Sequence, residues 1–211
     1  MKPDNLILIG GIVAALGTFT AIIGTKLKSD NARDESNKQK IEIATLKAQN
    51  QAQSEDLKGF ATGGDSYLEI NIVTLGNDLF KLLVGVQGKY PLLEVEMWYI
   101  DMNGWNKMSN AEAAKYQEEW RNKTFTKLGY FRQGGLKELG NFKFDKDQGV
   151  SLQFHFFTNN GTPMEFIRGK WVDGQWRFAT LILRGLDDKP IYNIDPKYPS
   201  SADKEAIFND F

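Results

Sequence analysis

Cysteine is absent from the chain, which excludes disulfide cross-links, thiolate metal sites and cysteine nucleophiles together. Histidine is nearly absent. The one imidazole, His155, sits inside an alternating apolar stretch without a Ser or Asp partner at a spacing that nucleophilic catalysis uses. Neither charge is in excess: 26 Lys and Arg face 27 Asp and Glu. A chain so balanced lacks the basic surface that phosphate neutralisation needs, so nucleic acid is not an expected partner. Phosphate-cradling glycine loops, calcium-loop spacing and paired zinc-ligand spacing are also missing. No catalytic residue, cofactor-binding residue or metal ligand is assigned, and the chain is read as non-enzymatic. The acidic pairs Glu94 and Glu96, and Asp187 and Asp188, read as solvated charges.

The 211 residues have room for one domain of ordinary size plus extensions. From Leu6 to Thr25 runs LILIGGIVAALGTFTAIIGT, 20 residues with no charged side chain. As a helix this stretch reaches about 30 Å, the thickness of a bilayer's hydrocarbon core. A cleaved signal peptide fits less well, because only Lys2 is available as a basic n-region and no small-residue cleavage pattern follows. Residues 1–25 are therefore expected to be a single-pass transmembrane anchor, with membrane lipid as a partner. Within it Gly10, Ala14, Gly17, Ala21 and Gly24 share one helix face. Such a face allows close helix packing in lipid, although small residues are also simply frequent in membrane helices. Lys26, Lys28, Arg33, Lys38 and Lys40 lie on the C-terminal side against Lys2 on the other, which favours a cytoplasmic C-terminal domain.

Residues 26–58 contain neither proline nor glycine and are rich in helix-forming Lys, Glu, Gln and Ala. They are expected to form a helical stalk. One register aligns Ile43, Leu46, Asn50, Gln53 and Leu57 as a weak coiled-coil seam, consistent with a homo-oligomer; a solvated spacer is the alternative.

After Leu57 the period changes. Gly59, Gly63 and Gly64 mark a helix end, and strands are predicted at Tyr67 to Thr74, Lys81 to Gln87, Leu92 to Met102, Val150 to Thr158, Met164 to Val172 and Gln175 to Arg184. Val150, Leu152, Phe154 and Phe156 alternate with Ser151, Gln153 and His155, so that strand should bury one face. Asn159-Asn160-Gly161 and Asp173-Gly174 supply hairpin turns. A single helix is predicted over Asn110 to Asn122, capped by Ser109 or Asn110, with Ala113, Tyr116 and Trp120 on its apolar face. The fold class expected for residues 59–186 is mainly β, an antiparallel β-sandwich-like domain with a short helical insertion. Residues 187–211, with Pro190, Pro196 and Pro199, are expected to be an irregular tail.

Three short stretches carry a resemblance: Thr62-Gly63-Gly64-Asp65-Ser66-Tyr67, then Gly88-Lys89-Tyr90-Pro91-Leu92 through Val95 to Asp101, then Phe156-Phe157-Thr158-Asn159-Asn160-Gly161 followed by Trp176-Arg177-Phe178-Ala179. Together they resemble an uncharacterised group of bacterial proteins with an N-terminal membrane helix, a coiled-coil-like stretch and a β-sandwich-like domain. The resemblance implies that layout and no activity.

Contact with other molecules falls to a few aromatic residues. Trp105, just after the turn Asp101-Met102-Asn103-Gly104, is the tryptophan expected to be most exposed, and it could anchor a protein partner or a sugar. Packing over the sheet edge is the preferred reading, because tryptophan is highly buried on average. Phe208 and Phe211 could form a short docking element or fold back on their own domain. The function expected is a membrane-anchored interaction or scaffold protein, with a carbohydrate or cell-wall ligand module as the second possibility.

Overall fold

A computed structural model describes residues 3–76, 78–103, 105–185, 188–199 and 204–208, without the side chains of 3–24, 27, 29, 30 and 106. Two compact units divide the chain, Met1–Asp56 and Leu57–Phe211. The first is helical: α1 spans Pro3–Thr62 and ends in the second unit, four residues beyond the predicted stop at Lys58. Ile43, Leu46 and Leu57 of the predicted seam are exposed on it. The small-residue face from Gly10 to Gly24 lies outside the residues whose side chains are described. Among the described residues no helix is long and apolar enough to cross a membrane, and the run from Leu6 to Gly24 is not among those side chains.

The second unit is mainly β, with two antiparallel sheets. The smaller contains β1 (Tyr67–Thr74), β2 (Leu79–Gln87) and β5 (Leu136–Lys143) in the order β1-β2-β5. The larger contains β3 (Leu92–Asp101), β4 (Thr126–Phe131), β6 (Val150–Phe157), β7 (Met164–Val172), β8 (Gln175–Leu183) and β9 (Ile191–Ile194), ordered β4-β3-β6-β7-β8-β9. Apolar side chains from both sheets share one core, including Leu68, Phe80, Leu82, Val95, Met97, Phe131, Phe154 and Ile167. Burying each such side chain contributes on the order of 1.5–3 kcal/mol. Side chains also stitch the two sheets. Lys137 Nζ of β5 donates to the Leu128 carbonyl of β4, and Glu165 of β7 reaches the backbone of β1.

The alternation predicted for residues 150–157 holds: Val150, Leu152, Phe154 and Phe156 are buried, and Ser151, Gln153 and His155 are half-buried on the opposite face. The insertion helix α2 spans Asn110–Thr124 and is capped by Ser109, whose Oγ accepts from the Glu112 N–H while Glu112 accepts from the Ser109 N–H at 2.8 Å. That reciprocal pair satisfies two otherwise orphan donors of the first turn. On α2, Ala113, Tyr116 and Trp120 form the less exposed face, as the period predicts.

The tail departs from expectation. Ile191–Ile194 pairs with β8 as β9, from Ala179↔Ile194 to Ile182↔Ile191. A 3-10 turn at Glu205–Ile207 then carries Phe208 into a cluster with Ala179, Leu181 and Tyr198. Apolar residues at this spacing bury area that the prolines nearby do not prevent.

Residues 62–67, 88–92 and 156–161, which carry most of the resemblance, meet at the end of α1, whereas Trp176 and Phe178 pack on Phe80 in the core. Gly63 and Gly64 adopt φ of +80° and +54°, the left-handed conformation that ends helices. The Tyr90 ring lies so close over Gly59 and Gly64 that a Cβ on either would overlap it. Asn159 Nδ2 donates to the Ala61 carbonyl at 3.1 Å and its Oδ1 accepts from the Leu93 N–H at 3.0 Å. Asn160 Nδ2 donates to the Ser66 carbonyl, and Ser66 Oγ accepts from the Tyr90 N–H at 2.9 Å. These residues fasten the last turn of the helix to both sheets.

Candidate functional site

Both faces of the larger sheet are covered, one by the shared core and the other by two separate pieces of chain. Over β3 lies α2, whose Tyr116 and Trp120 pack with Trp98, Ile100 and Met102. Over β8 and β9 lies the C-terminal cluster of Tyr198 and Phe208, which Phe166 of β7 also joins. Between them a hollow of about 340 Å³ is left open. Its floor is Ile100, Gln153, His155 and Phe166, and its wall is Met102, Trp105 and Gln117. The hollow therefore follows from strand pairing: β6 places Gln153 and His155 on the outer face, between the β3 and β7 residues that flank them.

His155 is fixed from two sides. It sits directly opposite Trp98 in the antiparallel pairing, and the rings stack at 3.9 Å with 4° between planes. Burial pushes its pKa down to about 4, because desolvation penalises the imidazolium. The Gln153 amide nitrogen lies 2.9 Å from His155 Nε2 and 3.7 Å from Met164 Sδ. A thioether accepts and cannot donate, so the NH₂ group belongs on that side. It then donates to both neighbours, which makes Nε2 the imidazole acceptor and puts the ring proton on Nδ1. No hydrogen bond of Gln153 Oε1 occurs among the described residues.

Trp105 opens a 3-10 turn at Trp105–Lys107 and donates its backbone N–H to the Met102 carbonyl at 3.0 Å. Asp101 holds the turn that precedes it: Oδ1 accepts from the Asn103 N–H at 2.9 Å and its carbonyl accepts from Tyr116 Oη at 3.0 Å. Burial raises the Asp101 carboxyl. The Trp105 indole is half-buried and meets the Tyr116 ring edge-on at 6.3 Å. It forms a wall rather than a free-standing ring, because α2 folds over the loop that carries it. Phe208 is buried, 5% exposed, and is not a free docking residue; Phe211 lies outside the described residues.

Sequence reasoning picked Trp105 but missed its partners. Gln153, His155 and Phe166 come from strands 48 to 61 residues away in the chain, and only the pairing of β3, β6 and β7 brings them beside it. A polar outer face on a central strand was the available signal. A second hollow, about 490 Å³, opens between the β1–β2 and β7–β8 turns beside Trp171 and Trp176. Lys146 Nζ lies 4.3 Å from the Trp171 ring centre and 2.7 Å from Asp78 Oδ1.

Comparison with protein-family models, with curated proteins and with solved structures finds no match for the chain. Function is therefore argued from the residues themselves.

Proposed function

We propose that this chain is a membrane-tethered, non-enzymatic interaction protein whose β-rich domain receives a protein partner at the Trp105–His155 hollow. In this reading residues 1–25 span the bilayer once, residues 26–58 form an oligomer-supporting stalk, and the two sheets pack as a sandwich on the cytoplasmic side. The uncharged run from Leu6 to Thr25 supports the tether, and the flanking lysines and Arg33 support the orientation. The observation that carries the interaction role is an open hollow walled by apolar and aromatic groups, the chemistry of protein-binding hot spots. The surroundings of His155 support a non-catalytic role, since among the described residues its ring meets an indole and an amide and no carboxylate that would orient a general base.

Light scattering of the detergent-extracted full chain beside the Lys58–Phe211 fragment tests the oligomer. A full chain several protomers in mass beside a monomeric fragment is expected, and two monomers would remove the stalk's role. A carbohydrate ligand is less well supported, because Trp105 is half-buried and packed against Tyr116 rather than free-standing.

A further inference from the structure

We propose that the hollow between α2 and the C-terminal cluster takes one aromatic side chain carrying an N–H or O–H donor, a tryptophan or tyrosine presented by the protein partner. This rests on the interaction role argued above and names the chemistry of its partner.

Size, charge and polarity each narrow the occupant. A volume of about 340 Å³ suits a single large side chain and is too small for a helix. Among the described residues no Asp, Glu, Lys or Arg lines the hollow, and its imidazole is neutral above a pH of about 4, so neither a carboxylate, a phosphate nor a cation would find a counter-charge there. Ile100, Met102 and Phe166 supply apolar surface, with the Met102 thioether suited to an aromatic edge. A saccharide would press hydroxyls against these three groups, of which only the Met102 thioether accepts a hydrogen bond, and weakly.

The polar atoms at the hollow are few and specific. Both amide hydrogens of Gln153 are engaged, by His155 Nε2 and Met164 Sδ. Its Oε1 remains to accept, and Gln117 makes no side-chain hydrogen bond among the described residues. An apolar ring filling the hollow would desolvate the Gln153 carbonyl without replacing its hydrogen bond to water. An indole N–H or a phenol O–H replaces that bond. Hence an aromatic donor is favoured over leucine or phenylalanine.

The single histidine is a built-in reporter, because its imidazole resonances need no assignment among others. The full chain in detergent micelles is titrated with N-acetyl-tryptophanamide, N-acetyl-leucinamide and the neutral sugar chitotriose while the His155 ring signals are followed by NMR. A saturable shift with the indole probe at about millimolar concentration is expected, with the leucine probe weaker by about fivefold or more. Gln153→Leu should erase that preference, and Gln117→Leu, at an exposed helix position, should reduce it. Saturation by the leucine probe or the sugar as readily as by the indole overturns the aromatic-donor assignment while leaving the hollow a binding site. Saturation by none of the three overturns both.

Discussion

Glu165 Oε2, on β7 of the larger sheet, accepts a hydrogen bond from the Ile70 N–H, on edge strand β1 of the smaller sheet, at 2.7 Å. The Glu165 side chain is fully buried, and Oε1 has no hydrogen-bond partner among the described residues. Burial, the dominant influence, holds its pKa well above the ordinary 4.5, with Glu69 adding to the rise and the Ile70 N–H opposing it. The folded state thus keeps the proton. Below pH 4.5 folded and unfolded chains are both protonated, and above it only the unfolded chain releases the proton, so stability falls as pH rises toward the folded pKa.

Glu165→Gln keeps an oxygen for the Ile70 N–H and abolishes this titration. Chemical denaturation should show the variant stabilised by about 1–3 kcal/mol at pH 8 and little changed at pH 4. Glu165→Leu leaves the Ile70 N–H unpaired and should lower stability by about 1–3 kcal/mol. A Glu165→Gln variant no more stable at pH 8 than at pH 4, relative to the parent, would contradict the buried-acid description.

His155 works in the opposite direction. Its pKa drops from 6.5 to about 4 on folding, so the unfolded chain takes up a proton in that window and the folded chain does not. Stability should decline as pH falls from 6.5 toward 4, by about 1–2 kcal/mol after allowing for partial solvent screening. His155→Phe keeps an aromatic ring against Trp98 and should flatten that decline. The direct check is the imidazole titration of the folded chain, expected near 4.

The joint at the end of α1 predicts a contrast between two glycines with positive φ. Gly64→Ala would place a Cβ about 2.2 Å from a Tyr90 ring carbon at φ +54°, and should destabilise by about 2–4 kcal/mol through overlap and strain. Gly174→Ala has φ +75° with open space around it, so only the strain of about 1 kcal/mol remains. Equal effects in thermal unfolding would count against the Tyr90 clamp.

Phe208 fills the cluster over β8, with its ring 6.1 Å from that of Tyr192. Phe208→Ala should cost about 3–5 kcal/mol, as large aromatic truncations in a core do. A loss under about 1 kcal/mol would return this segment to the status of a loose tail.

Interior strands were legible in the sequence because both neighbours and the core act on every other residue. β7 matches its predicted bounds, Met164–Val172, and so does one edge strand, β1 at Tyr67–Thr74, whose Leu68 and Ile70 are buried in the core and keep the alternation. Edge strands β4, β5 and β9 were not legible. Gly129 and Gly140 interrupt the first two at φ +72° and +127°, the register of β5 shifts opposite Leu82 and Leu83, and β9 has four residues. An edge strand buries less and carries more charge, so its alternation fades. The candidate site was legible in one residue, Trp105. The partners depend on which strands pair and on where α2 lies, and no local pattern encodes either.

Alkaline carbonate extraction of membranes from cells expressing the full chain tests the central claim most directly. High pH strips peripheral proteins and leaves a bilayer-spanning helix in place. The chain should stay in the membrane pellet and move to the supernatant only with detergent. Release into the carbonate supernatant without detergent would contradict a tether built on Leu6 to Thr25.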